Sequence, residues 1–245
     1  MVQRYRYLRG GGATATARRA AQALSSVPGR LQSGGQERRQ PYRAHARSAS
    51  GAVAGHWRGV HPHDDLTALT SGDTPRANNE AMARIYHLAA ERDLPVLLHS
   101  NITSKRERNP LYLAEIEQPL RNHPHTRFIW AHAGSSMEIH RHQTQMDFLL
   151  PVLTRLLEDY PNLYVDLSWS VLKPYLLDGQ GVPRKEWLAL VERFPERFML
   201  GSDVVGRFGS LGEQMHGFRP FLDALPEQVA NKVARENFLD VLPKQ

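Results

Sequence analysis

A parallel α/β fold built from repeated strand–helix units is predicted by three observations. First, four short apolar runs each end in a chemically active side chain: 94–98 in His99, 128–131 in His132, 162–165 in Asp166 and 197–202 in Asp203. An apolar run that stops abruptly at such a residue is how the C-terminal end of a buried parallel strand reads when it carries a site. Second, these residues stand 33, 34 and 37 positions apart, and each interval has room for one helix and two loops. Third, the 245 residues are only just sufficient for a (β/α)8 barrel, which typically needs about 250.

The charge is unevenly distributed. Residues 1–58 hold 11 Arg and a single acidic residue, Glu37, a balance of +10; the remaining 20 basic and 24 acidic residues give −4. The formal net charge of +6 therefore belongs to the beginning of the chain, and the body is mildly acidic. With no cysteine there is no disulfide, no thiolate nucleophile and no thiolate-held metal, so any metal must be held by histidines and carboxylates. No apolar run approaches the roughly 18 residues of a membrane span. The partner expected is a small molecule rather than a membrane or a nucleic acid, in a cytoplasmic protein that is free to form a homo-oligomer.

Residues 1–55 read poorly as structure. Gly10–Gly12, Gly34 and Gly35, scattered Arg and many Ala, Ser and Gln show no sustained period, and such a segment buries too little apolar surface to offset its ordering entropy. A basic, low-complexity and disordered segment is expected over 1–55, followed by one domain over 56–245. An organelle transit peptide and a nucleic-acid-binding arm compete with the favoured reading, an extension in place of a lost beginning of the domain. The only aromatics interleaved with its arginines are Tyr5, Tyr7 and Tyr42, and no apolar h-region follows the first basic residues.

Taken in order, 56–60 is a candidate short strand, and His61-Pro62-His63 follows it. Alternate residues on a strand share a face, but the intervening proline disfavours a central strand. A substrate-facing loop or an ordinary turn is preferred there over a metal role. Residues 67–79 read as a loop. A helix is expected over about 80–92, capped by Asn78 or Asn79, with Met82, Ile85, Tyr86, Leu88 and Ala89 turned inward. After His99 the polar stretch 100–104, including Asn101, lies close to any site. Pro110 opens the next helix, whose inward residues are Leu111, Leu113, Ile116 and Leu120. A long helix from about 136 to 160 is expected to kink or divide at Pro151, with His140 and His142 facing solvent. Beyond Asp166, Trp169 either walls a pocket or packs under its loop. The helix 184–194 is amphipathic through Trp187, Leu188 and Val191. Closing helices fall over 211–224, interrupted at Pro220, and 227–241.

Leu97-Leu98-His99, Trp130-Ala131-His132-Ala133-Gly134, Tyr164-Val165-Asp166-Leu167-Ser168-Trp169 and Leu200-Gly201-Ser202-Asp203, in that order and spacing, resemble strands 5 to 8 of the amidohydrolase superfamily. The nearest branch is that of the amidohydrolase-2-type metal-dependent hydrolases and aminocarboxymuconate-semialdehyde decarboxylase. The stretch 237–243 resembles that branch's closing helix, so the likeness covers about 57–243. It implies a TIM-type (β/α) barrel with a divalent metal, zinc first and manganese second, at the C-terminal ends of its strands. On that resemblance His99 is a metal ligand, and Asp203 is a ligand that also accepts a proton from the attacking water. His132 is a second ligand or polarises the substrate carbonyl; Asp166, Asn101, Trp169 and His63 are expected around the substrate. The activity implied is hydrolysis of a small, carboxylate-bearing ester, lactone or amide; the alternatives are a decarboxylase of an unsaturated acid and an inactive remnant or binding protein. The family's first strand supplies a His-x-His pair, and its strands 1 to 3 need about a hundred residues. The only His-x-His of this chain falls at the place of strand 4, so a barrel incomplete at its N-terminal side is expected, from a truncated, frame-disrupted or start-shifted relative.

Overall fold

The structure is a computed structural model, describing residues 58–60, 76–168, 171–204, 206 and 208–244. All of them fall within the unit 52–245. The segment 1–55, His61, His63 and Trp169 lie outside the described residues.

Five parallel strands form one sheet: β1 (Arg58–Val60), β2 (Val96–His99), β3 (Phe128–Trp130), β4 (Leu163–Asp166) and β5 (Phe198–Met199). Their order in the sheet is their order in the sequence. Helices α1 (Glu80–Glu91), α2 (Leu113–Asn122), α3 (Met137–Gln143), α4 (Leu149–Asp159) and α5 (Lys185–Arg193) lie between successive strands. An order that never reverses is the arrangement of a (β/α) barrel; a doubly wound sheet changes direction at a switch point. The fold is thus a partial barrel of parallel strands alternating with helices. After β5 the chain closes through α6 (Leu211–His216), α7 (Arg219–Asp223), α8 (Glu227–Asn231), a π-turn over 232–236 and α9 (Asn237–Val241).

The two faces of the sheet follow from period-two alternation. Val96, Leu98, Phe128, Trp130, Leu163, Val165 and Phe198 are buried in the main core with the apolar stripes of the helices. Their neighbours Leu97, Ile129, Tyr164 and Met199 form a second, smaller cluster with Phe238 and Val241 of α9. The strand register runs Leu97 to Ile129 to Tyr164 across β2, β3 and β4. One step further along the same face come His99 and Asp166.

Side chains tie the helices to the strands. Asn79 caps α1 by accepting from Met82 N at 2.8 Å. The side-chain amide of Asn162 faces the carbonyls of Leu120, His123 and Thr126 at 3.1, 3.0 and 3.2 Å, joining the end of α2 to the start of β4. Asn237 does the same for Pro195 and Phe198 at 2.8 and 2.7 Å.

Several expectations are corrected. Leu88 and Leu111 are exposed at 46 % and 50 %, so neither belongs to an inward face. Helix α2 starts at Leu113 rather than near Pro110, because the N–H of Tyr112 goes to the Ile102 carbonyl and closes a loop instead. The helix expected over 136–160 is two, and the division falls at 144–148, where Thr144 has a φ of 64°. Pro151 sits in the first turn of α4, where no donor is lost. Strand β5 ends before Asp203, since the N–H of Leu200 turns to the Val233 carbonyl.

Candidate active site at the strand ends

His99 ends β2 and Asp166 ends β4, so alternation alone brings both to the face lined by Leu97 and Tyr164. His132 needs more. It lies two residues beyond β3, out of phase with Ile129, in a short 3₁₀ turn over Ala131–Gly134. His132, Ala133 and Gly134 have φ of 55°, 50° and 71°. This left-handed run turns the imidazole back toward the strand ends, at a cost of about 1–2 kcal/mol for each residue carrying a Cβ. Gly134 presses on Trp130, where an added Cβ would lie 2.2 Å from the indole Cζ2. The indole N–H in turn donates to the Ser100 carbonyl at 2.8 Å. Asp203 also has a left-handed backbone, φ 46°, in the loop after β5.

The predicted residues converge. His99 Nε2 lies 3.1 Å from His132 Nε2, with the two rings perpendicular. His132 Nε2 is also 3.5 Å from Asp203 Oδ2. Asp166 Oδ2 accepts from the His132 backbone N–H at 3.3 Å, and Asp166 Oδ1 from the Ser168 N–H at 3.2 Å. The Ser168 hydroxyl bridges Asp166 Oδ2, at 2.5 Å, and His132 Nδ1, at 2.7 Å. His99, His132, Asp166 and Ser168 are all buried. Burial pushes the Asp166 carboxyl above its ordinary value, and the nearby Asp203 adds to this; His132, the Ser168 hydroxyl and the His132 N–H oppose it.

A cavity of about 190 Å³ is walled by His132, Asp166 and Asp203 with the apolar Leu97, Ile129 and Phe238; His99 is not among its lining residues. No Lys or Arg is among the described residues lining it. Asn101 lies outside that lining: it is buried and its amide reaches Ser136 Oγ, the N-cap of α3, at 3.5 Å. Asn101 Oδ1 and Ser100 Oγ are buried without a hydrogen-bond partner among the described residues.

Two atoms each about 2.05 Å from a tetrahedral zinc stand about 3.3 Å apart. The separations of 3.1 and 3.5 Å around His132 Nε2 match two such edges, so His99 and His132 fit as a ligand pair with Asp203 beside them. They do not close a ligand set, because no group of three His, Asp or Glu side chains disposed to hold a metal ion occurs among the described residues. Ser168 and Gly201 belong to the site without having been singled out. An added Cβ on Gly201 would stand 2.5 Å from Asp166 Oδ1. The only trace of them in the sequence is a serine two places after a strand-ending aspartate and a glycine before Ser202-Asp203.

The family profile of the Amidohydrolase family matches residues 3–243, and the chain belongs to that family. The match reaches further toward the N-terminus than the resemblance over 57–243. Among curated proteins none matches. Solved structures with a similar fold include a TIM-barrel protein from Bordetella bronchiseptica, 13 % identical, with a TM-score of 0.48 over 69 % of this chain and 52 % of that one. An amidohydrolase from Burkholderia multivorans with bound zinc is 16 % identical, with a TM-score of 0.43 over 74 % and 69 %. The 5-carboxyvanillate decarboxylase of Sphingomonas paucimobilis is 13 % identical, with a TM-score of 0.42 over 69 % and 55 %. The chain thus spans little more than half the length of the first and third.

Proposed function

We propose that this chain is a metal-dependent hydrolase of a small ester, lactone or amide, with His99 and His132 as metal ligands and Asp203 beside them as proton acceptor. One observation carries the reading: His132 Nε2 lies 3.1 Å from His99 Nε2 and 3.5 Å from Asp203 Oδ2 at the end of a parallel sheet. A divalent ion held there would supply a Lewis acid that polarises an acyl carbonyl and acidifies water toward neutral pH.

The chain's own groups do the rest. As water adds to the acyl carbon and the C–O or C–N bond breaks, Asp203 takes the proton of the water and returns it to the departing alkoxide or amine. Asp166 holds the turn that carries His132 through its backbone N–H. Leu97, Ile129 and Phe238 offer an apolar bed for the acyl part.

The test is a metal analysis of protein grown with zinc or manganese, followed by a panel of esters, lactones, amides and unsaturated carboxylic acids. Bound metal with ester, lactone or amide cleavage supports the reading. Carbon dioxide release from the acids would replace it with the decarboxylase, and metal-free protein inactive on every substrate would replace it with a remnant or binding role.

A further inference from the structure

Ser168 stands between His132 and Asp166, and the arithmetic of its protons decides what it does. Its hydroxyl oxygen is 2.7 Å from His132 Nδ1 and 2.5 Å from Asp166 Oδ2, and the residue is only 2 % exposed. The carboxylate cannot reach the ring without it: His132 Nδ1 and Asp166 Oδ2 are 3.7 Å apart, beyond hydrogen-bond range. A hydroxyl carries one proton, and Asp166 in its ionised form only accepts. Asp166 is already oriented as an acceptor by two backbone N–H groups, those of His132 and Ser168. The hydroxyl proton therefore goes to Asp166, and the oxygen's lone pairs are left for the ring. His132 Nδ1 must then be the N–H donor, and Nε2 the lone-pair nitrogen.

We propose that Ser168 is a positioning residue that relays Asp166 to His132 and holds the imidazole as its Nδ1–H tautomer, presenting the Nε2 lone pair to the point it shares with His99 and Asp203. In its consequence for metal binding this rests on the reading of His132 as a ligand; in its consequence for the tautomer it does not. Gly201 leaves the room the relay needs, since a Cβ there would stand 3.1 Å from Ser168 Cβ as well as against the Asp166 carboxylate.

The experiment uses the full, metal-free chain labelled with ¹⁵N-histidine, with the His132 signals assigned by His132→Gln, followed by a zinc titration. In the wild type, His132 is expected as Nδ1–H. Ser168→Ala should move it to Nε2–H or a mixture and weaken zinc about 10–100-fold, as loss of a hydrogen-bonded support behind a ligand does; Ser168→Thr should restore both. Asp166→Asn keeps the shape but offers a donor to the hydroxyl, and it should also move the ring toward Nε2–H. An Nε2–H ring in the wild type overturns the proposal, as does an unchanged tautomer in folded Ser168→Ala and Asp166→Asn. A tautomer that follows Ser168 in a protein that takes up no zinc supports the relay and removes the ligand reading. Zinc binding that is equal in wild type and Ser168→Ala while the tautomer shifts supports the relay and removes its consequence for metal binding.

Discussion

The Nε2 atoms of His99 and His132 face each other at 3.1 Å, although one ends a regular strand and the other lies beyond the end of its strand in a left-handed turn. A single hydrogen bond satisfies only one lone pair of such a pair, whereas a shared cation satisfies both. Replacing either ring with alanine should therefore remove far more than half of the metal affinity. On the proposed reading, His99→Ala and His132→Ala are each expected to lower zinc affinity by two or more orders of magnitude and to abolish any hydrolysis, with near-native circular dichroism. Equilibrium dialysis checks this, and a single variant retaining stoichiometric zinc refutes the shared site.

Gly201 gives a test in which no ligand is touched. An alanine there would place a methyl carbon 2.5 Å from Asp166 Oδ1, a contact that backbone or carboxylate must relieve by moving. The carboxylate is held by three donors, so its displacement disturbs both the turn at His132 and the Ser168 hydroxyl. Gly201→Ala should cost on the order of 1–3 kcal/mol of stability and reduce kcat by at least tenfold while KM changes little. A combined denaturant and kinetic measurement separates the two effects.

Much of this fold was legible because buried parallel strands advertise themselves. The runs ending in His99 and Asp166 become β2 and β4, and period-two alternation carries both residues to the inner face without further information. Asp203 and His132 were found by type and spacing rather than by phase: each sits past its strand, and only the left-handed backbone, at φ 46° and 55°, brings it back. Neither turn is written as a glycine at the position itself. Ser168 and Gly201 stayed hidden for another reason. A hydroxyl that bridges a carboxylate and a ring and a missing Cβ are defined by what lies opposite them in space, and their partners are 36 and 35 residues away, at His132 and Asp166. The sequence points to Pro151 rather than to 144–148 for the division of the helix, because a proline in a first turn looks, in one dimension, like a proline in an interior.

Asn162 supports the start of β4 at a distance from the chemistry. Its one amide nitrogen serves three carbonyls, and its side chain is buried. Asn162→Ala leaves at least two buried acceptors unsatisfied, each worth about 1–3 kcal/mol, and should lower the thermal midpoint clearly while leaving zinc affinity near wild type. Asn162→Asp, which keeps the shape but removes the donors, should be no better. Recovery of stability in that variant would show that packing, not hydrogen bonding, holds the junction.

The loop before α5 should respond to acid through Asp178. Its carboxylate accepts from Val182 N and Gln180 N, each at 2.8 Å, and those backbone bonds, with Arg184 nearby, hold its pKa below the ordinary carboxylate value. A folded-state pKa that is depressed means the charged form is the one stabilised. The contribution is fully present above the ordinary carboxylate pKa and is lost as pH falls through the lowered one. Asp178→Ala should therefore melt below wild type at neutral pH, and the two curves should converge in strong acid. A gap that stays constant or widens in acid would assign the loop's order to something other than that carboxylate.

Gly134 is where local backbone and tertiary packing make the same demand. Its φ of 71° suits a residue without a Cβ, and the indole of Trp130 fills the space a Cβ would take, with three ring atoms 2.2 to 2.8 Å from that position. Gly134→Ala meets both penalties at once, so it should destabilise more than Gly201→Ala and shift the turn that aims His132. Shrinking the partner separates them: in Gly134→Ala/Trp130→Phe the six-membered ring over the glycine is removed while the left-handed strain remains. The bond from the indole N–H to Ser100 is lost in either case; if overlap dominates, the double variant should recover most of the stability lost in Gly134→Ala, and if conformation dominates it should recover little. Denaturant midpoints of the two single variants and the double variant, read as a cycle, decide between the two causes.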